Sequence, residues 1–186
     1  DGKIVKLTPV SPVTPDKNAV ALAAGTAKAY VNNSLVSLQK GSVMEKDGAL
    51  FVPVSFLPVA FPGTELTLSA DGKTADLRFD GRTLKIQANT ALSLSDAGKS
   101  DIPQPFMAED GQLMAPIKFL AEKFYGKNYA ENALSAYISD HPVHLTYDFA
   151  ANFRFLLGVD KAPMADIAQE KAVVQKILDS RKDSEK

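Results

Sequence analysis

The sequence predicts an α+β fold: two tandem small modules, each an antiparallel β-sheet packed on one short α-helix, followed by a C-terminal amphipathic helix. Three observations predict it. One segment of the 186-residue chain occurs twice. Asp-Gly pairs separate short runs of alternating apolar residues, the pattern of hairpins. Towards the C-terminus the apolar spacing changes to that of a helix.

The duplication lies in Asp47 to Gly63, DGALFVPVSFLPVAFPG, and Asp110 to Gly126, DGQLMAPIKFLAEKFYG. Eight of these 17 positions are identical, where about one identity is expected from average composition. Upstream, VALAAGTA (Val20 to Ala27) aligns with LKIQANTA (Leu84 to Ala91), and a single insertion or deletion separates the copies. The chain therefore divides into a Pro-rich extended lead-in (1–19), a first repeat (20–83), a second repeat (84–147) and a helical tail (148–186). Pro9, Pro12 and Pro15 fix the lead-in as extended backbone that lacks donors.

Within each repeat, Asp-Gly supplies a tight turn. A short strand follows, Leu50 to Val52 or Leu113 to Ala115. Pro53 or Pro116 then opens a helix, where a missing N–H costs nothing. Phe56, Leu57 and Phe61 share one helix face, as do Phe119, Leu120 and Phe124. Gly63 or Gly126 ends the helix. Pro58 keeps the first helix short, and the second, Pro116 to Tyr125, is expected to be more regular. Strands are expected at Glu65 to Ser69, Thr74 to Phe79 and Arg82 to Ala88, joined by turns at Asp71-Gly72 and Asp80-Gly81. The second repeat offers Leu134, Ala136 and Ile138 as one inward face. After a turn at Ser139 to Pro142 it offers Val143, Leu145 and Tyr147. In the tail, Phe149, Phe153, Phe155, Leu156 and Leu157 form an apolar patch. Met164, Ile167, Val174, Ile177 and Leu178 then make the stripe of an amphipathic helix over Ala162 to Ser180. The tail either packs on the second module or forms a surface for a partner or for self-association.

Composition narrows the function classes. With 21 basic and 22 acidic side chains the net charge is −1, which lacks the basic face that nonspecific nucleic-acid binding needs. No run approaches the roughly 18 apolar residues of a membrane-spanning helix. Zero cysteines rule out disulfides, thiol catalysis and cysteine-ligated metals. The start at Asp1, not at Met, is read as that of a mature or trimmed chain, with an export signal assumed removed.

No catalytic residues, metal ligands or cofactors are assigned. The two histidines, His141 and His144, fall in a turn and on the outward side of a strand, and spacing indicates no third ligand. Glu45, Asp47, Glu109 and Asp110 belong to the equivalent turns of the two repeats. A hydrolytic carboxylate pair would require distant groups to converge. Tyr125, Tyr129 and Tyr137 cluster after the second helix. They either edge the second module's core or line a glycan or peptide site.

These repeats resemble the copper amine oxidase N-terminal-like domain, or stalk domain. The resemblance rests on Val31-Asn32-Asn33 and on the turn–strand–Pro–helix order at Leu50 to Leu57 and again at Leu113 to Glu122. It covers about Val20 to Tyr147. Ser55 and Lys118 stand where the family usually has Arg, and Pro58 interrupts the first helix. The resemblance implies a module of exported bacterial proteins that carries no copper itself. The expectation is a non-catalytic extracytoplasmic module, secreted or at the cell surface. It would serve envelope attachment, spacing or binding of a partner, either a cell-envelope polymer or another exported protein. The alternatives are a protein that captures a partner, inhibits it or self-assembles through the C-terminal helix or a sheet edge, and a wall-polymer hydrolase.

Overall fold

Among the described residues up to Ser139, twelve short strands and two helical segments follow in chain order. First come β1 (Val20–Ala23), β2 (Lys28–Val31), β3 (Ser34–Ser37), β4 (Met44–Lys46) and β5 (Ala49–Pro53). A tight helical turn, Val54–Phe56, then runs into α1 (Leu57–Ala60). Next are β6 (Glu65–Leu68), β7 (Thr74–Phe79), β8 (Arg82–Gln87), β9 (Phe106–Met107) and β10 (Leu113–Pro116). α2 (Ile117–Phe119) widens into the turn Leu120–Phe124, and β11 (Asn128–Asn132) and β12 (Ser135–Ser139) complete the order. The structure is a computed structural model. It describes residues 18–94, 102–132, 134–145, 150, 153, 154 and 156–159. The fold is sheet-dominated α+β, and every strand pair among the described residues is antiparallel.

Among the described residues three sheets form, ordered β11-β12-β1-β2-β3, β4-β5-β10-β9 and β6-β7-β8. The expectation that each repeat closes a sheet of its own is met only in part, because strands cross between the repeats. β1 pairs with β12, matching Val20 with Ile138 and Leu22 with Ala136. β8, which straddles the start of the second repeat, pairs with β7, matching Leu84 with Leu77 and Ile86 with Ala75. These two pairings are equivalent once the repeats are aligned. β5 pairs with β10, and Val52 lies opposite Ala115. Val52 and Ala115 occupy the same place in their repeats, so a local two-fold axis passes between them. A single buried cluster then joins both repeats, from Val20 and Leu22 through Val52, Leu57 and Leu77 to Ala115, Leu120 and Ile138. The exchange has a plain cause. A two- or three-stranded unit leaves unpaired backbone at its edges and apolar side chains in water.

The Asp-Gly turns differ in detail. Asp47 and Gly48 take φ of 53° and 77°, and Lys46 pairs with Ala49, a two-residue type I′ turn. In the second repeat Ala108 N–H donates to the Gln112 carbonyl and Gly111 N–H to the Ala108 carbonyl. That loop holds three residues, with Gly111 at φ 77° as the left-handed position. The extra residue moves the β9–β10 register by one against β4–β5.

α1 is short, as Pro58 requires, with the proline in its first turn. The second helical segment is not the regular helix expected. After Phe119 it widens, and Tyr125 N–H reaches the Leu120 carbonyl, five residues back, at 2.9 Å. The wide turn accompanies the burial of two successive rings, Phe124 and Tyr125. Arg82 Nη1 caps the end of this turn by donating to the Phe124 carbonyl at 3.0 Å, another tie between the repeats.

Ala136 and Ile138 face the core as expected, but Leu134 does not. It takes φ 57° in the β11–β12 turn and is exposed. Val143 is also exposed, while Leu145 is buried. In the tail, Phe153 and Leu157 pack on Ala21 and Ala23, on the outer face of the five-stranded sheet. The Leu157 N–H donates to the Phe153 carbonyl at 3.0 Å, one helical turn. Tyr147, Phe149, Phe155, the predicted helix Ala162 to Ser180 and residues 1–17 of the lead-in lie outside the described residues.

The central pair sets a packing test. Val52 and Ala115 are both fully buried, so one site on the axis carries two methyl groups more than its mate. Ala115→Val alone is expected to cost about 1–3 kcal/mol by overpacking, and Val52→Ala about 1–3 kcal/mol by lost burial. The double exchange conserves volume and should cost less than the sum of the two. Urea denaturation of the four proteins checks this as a double-mutant cycle.

Candidate functional site: two related grooves

The three tyrosines do not converge. Tyr125 is 5% exposed and belongs to the core. Its ring stacks on Phe61 of the first repeat at 3.8 Å between centroids and 17° between planes. It meets the edges of Phe79 at 4.9 Å and Phe124 at 5.0 Å. The Tyr125 and Thr64 hydroxyls lie 3.2 Å apart, and Thr64 Oγ1 also donates to the Phe61 carbonyl at 2.7 Å. Burial pushes the Tyr125 phenol up to about 12, and the contact with Thr64 offsets this only in part.

Tyr129 and Tyr137 lie on opposite faces of the five-stranded sheet. Tyr129 is opposite Ile138 on β12 and half-buried against the main core. Its hydroxyl donates to Glu131 Oε2 at 2.9 Å. Burial, and then the charge of Glu131, hold its phenol well above the usual tyrosine range. Lys118 Nζ sits 5.8 Å from the Tyr129 ring centroid, within cation–π range. Tyr137 faces the other way, among Tyr30, Phe153 and Leu157. A side-chain alternation of two along a strand makes this separation unavoidable for residues on adjacent strands one register step apart.

His141 and His144 are both exposed. Asp140, beside His141, accepts from Asn18 Nδ2 at 2.8 Å and pairs with Lys127. The hydrogen bond from Lys127, and then that from Asn18, hold its carboxyl below the usual range. Among the described residues no three His, Asp or Glu side chains gather as a metal site would require.

The two-fold axis creates a feature that motif reading missed, a pair of equivalent grooves. Each lies between the Asp-Gly turn of one repeat and the helical segment of the other. The first, about 470 Å³, is bounded by Gly111, Gln112 and Leu113 of the second repeat and by Val54, Ser55 and Leu68 of the first. Gln39 and Lys40 close one end and Gly72 the other. The second, about 240 Å³, is bounded by Gly48, Ala49 and Leu50 of the first repeat and by Pro116, Lys118 and Glu131 of the second. Ile102 and Pro103 close it where Gln39 and Lys40 close the first.

The strand registers confirm the equivalence. Leu66 lies opposite Leu77 on β7, and Tyr129 lies opposite Ile138 on β12. Leu68 and Glu131 are therefore equivalent positions, as are Ser55 and Lys118. The difference in volume follows from side-chain length. Lys118, Glu122, Lys123 and Glu131 crowd the second groove. Their counterparts in the first repeat are Ser55, Val59, Ala60 and Leu68, all shorter. Part of the charge in the second groove is already spent within the protein, since Glu131 holds the Tyr129 hydroxyl and Lys118 lies over its ring.

Comparison with family models, with curated proteins and with solved structures finds no match to this chain.

The buried phenols give a pH prediction. A folded-state pKa above the unfolded value of about 10 means that the stabilisation is complete below pH 10. It is lost as pH rises towards the folded value of about 12 for Tyr125. Tyr129 acts in the same direction. The urea midpoint should fall between pH 10 and 12, and Tyr125→Phe should make that fall shallower. Tyr125→Ala should cost about 3–5 kcal/mol at neutral pH, as loss of a core aromatic does.

Proposed function

We propose that the chain is a non-catalytic, extracytoplasmic binding and spacing module whose duplicated unit presents a rigid surface to a cell-envelope polymer. The observation that carries the reading is the pair of grooves repeated by the local two-fold. Duplication gave one body two copies of a surface recess, and their walls are strands and turns anchored in a shared core. A recess held by a continuous core is presented without an ordering cost on binding. The resemblance to stalk-domain repeats supports the same reading, with the two repeats acting as one paired unit. Export, surface location and a polymer ligand belong to this proposal. No described helix is long and apolar enough to cross a membrane.

A second reading has a specific observation behind it. Leu35 is 51% and Leu156 is 66% exposed. Leu35 lies opposite Tyr30 on the edge strand β3, on the sheet face that Phe153 and Leu157 partly cover. An edge strand with an apolar face beside it is where another chain would add. Capture of an exported protein, or self-assembly, would use this edge together with the C-terminal segment.

Sedimentation with purified cell-wall material tests the leading reading. The expected result is saturable co-sedimentation of the full chain that competing soluble wall fragments reverse. Tyr129→Ala, which loosens the wall of the second groove, is expected to reduce binding by no more than a few-fold if the first groove carries the contact. Absence of co-sedimentation by the wild type would overturn the polymer-binding reading. A concentration-dependent mass increase removed by Leu35→Lys would then favour the edge-strand reading.

A further inference from the structure

The two grooves share an origin but not a lining, and we infer from that divergence that the first groove is the ligand site and takes an N-acylated sugar bearing one carboxylate. The inference rests on the envelope-polymer reading above and names its site and ligand class. The first groove carries the side-chain amides of Gln39 and Gln112, the Ser55 hydroxyl and the Lys40 ammonium over an apolar floor that includes Leu68 and Leu113. The equivalent places in the second groove hold Ile102, Ala49, Lys118 and Pro103. One copy therefore has neutral hydrogen-bonding groups with a single cation. The other has apolar groups with charges that engage its own Tyr129.

The polar groups of the first groove are available. Gln112 uses its backbone N–H on Asp110 Oδ1 at 3.1 Å and its carbonyl on the Ala108 N–H at 2.8 Å. Its side chain is half-buried, and its amide makes no hydrogen bond among the described residues. Asp71 and Asp110 flank the groove at Gly72 and Gly111, but each serves its own turn. Asp71 Oδ1 accepts from Ser69 Oγ at 2.6 Å and from the Lys73 N–H at 3.0 Å, and Asp110 Oδ1 accepts from the Gln112 N–H. Neither is among the lining residues, and Lys40 is the one charged side chain that is.

Each feature selects part of a ligand. Carboxamide side chains present a donor and an acceptor together, which matches the amide of an N-acyl group and vicinal hydroxyls. Leu68, 47% exposed on the edge strand β6, offers apolar surface to an acyl methyl or a sugar face. Lys40 at one end matches one carboxylate. The volume of about 470 Å³ falls within the range of small-molecule sites, about 300–1,000 Å³, and that of about 240 Å³ falls below it.

Isothermal titration of the full chain tests the inference with two probes. One is N-acetylglucosaminyl-N-acetylmuramic acid, which carries the carboxylate. The other is the neutral disaccharide N,N′-diacetylchitobiose. The acidic probe should bind about tenfold more tightly than the neutral one, and Lys40→Gln should remove that difference. Ser55→Lys, which puts the second groove's longer residue into the first, should weaken the neutral probe at least tenfold by filling the groove. Lys118→Ser, the reverse change in the second groove, should leave it unchanged. Gln112→Ala, on an accessible turn, serves as a milder companion to Ser55→Lys and should weaken binding several-fold. Undiminished binding by Ser55→Lys and Gln112→Ala overturns the assignment to the first groove. Equal binding of both probes overturns the role given to Lys40. Wild-type protein that sediments with wall material but binds neither disaccharide overturns this inference while the polymer reading stands. Failure to sediment overturns both.

Discussion

The antiparallel pairing of β5 with β10 is the constraint on which the rest of the structure depends. Val52 faces Ala115, its own equivalent, and the local two-fold runs between them. The pairing follows from the duplicated sequence. Each repeat carries the same short apolar strand between an Asp-Gly turn and a proline. Two such strands can complete each other's hydrogen bonds, and one alone is left with open edges. Once they pair, each helical segment must pack over the shared centre. Phe61 meets Tyr125 there in a stack that belongs to neither repeat alone. The exchange of β1 and β8 between the outer sheets follows the same logic. It gives each partner's hairpin the third strand that independent stability requires.

The two similar segments carry different side chains at the surface. The central strand pairing keeps the two-fold, and the groove side chains do not. Lys118 and Glu131 of one groove engage Tyr129, while Ser55 and Leu68 hold the equivalent places of the other. The same divergence appears in the turns. An extra residue in the second Asp-Gly loop changes its type without moving the strand that follows. The core tolerates little such change, because buried volume is shared across the axis. The groove walls tolerate more, because one side of each is solvent.

The outer face of the five-stranded sheet breaks the symmetry further. β2 and β3 extend the sheet on the first repeat's side, and Phe153 and Leu157 cover part of its outer face. These two side chains shield Ala21 and Ala23 there, and Arg154 Nη1 reaches the Ala24 carbonyl at 3.5 Å. β1 is consequently buried on both faces, which accounts for its run of four apolar residues without alternation.

Local chemistry made much of this legible in the sequence. The Asp-Gly turns, the strands Thr74–Phe79 and Arg82–Gln87, the prolines before the helical segments and the face formed by Phe56, Leu57 and Phe61 each depend on neighbours a few residues away. The duplication itself was also plain in the residues. Which strand each edge would accept was not, because β1 with β12 and β5 with β10 are long-range choices settled by burial of a common core. The wide turn at Leu120–Phe124 escaped for the same reason, since it answers to the packing of Phe124 and Tyr125 against the other repeat. The tyrosines looked like a cluster along the chain, yet strand alternation sent Tyr129 and Tyr137 to opposite faces and helical packing took Tyr125 inside. The sequence by itself determined the repeat, its turns and its apolar faces. Only the tertiary structure decided that the repeats interlock and that two recesses form where turn and helix of different copies meet, because those contacts join residues that no local pattern links.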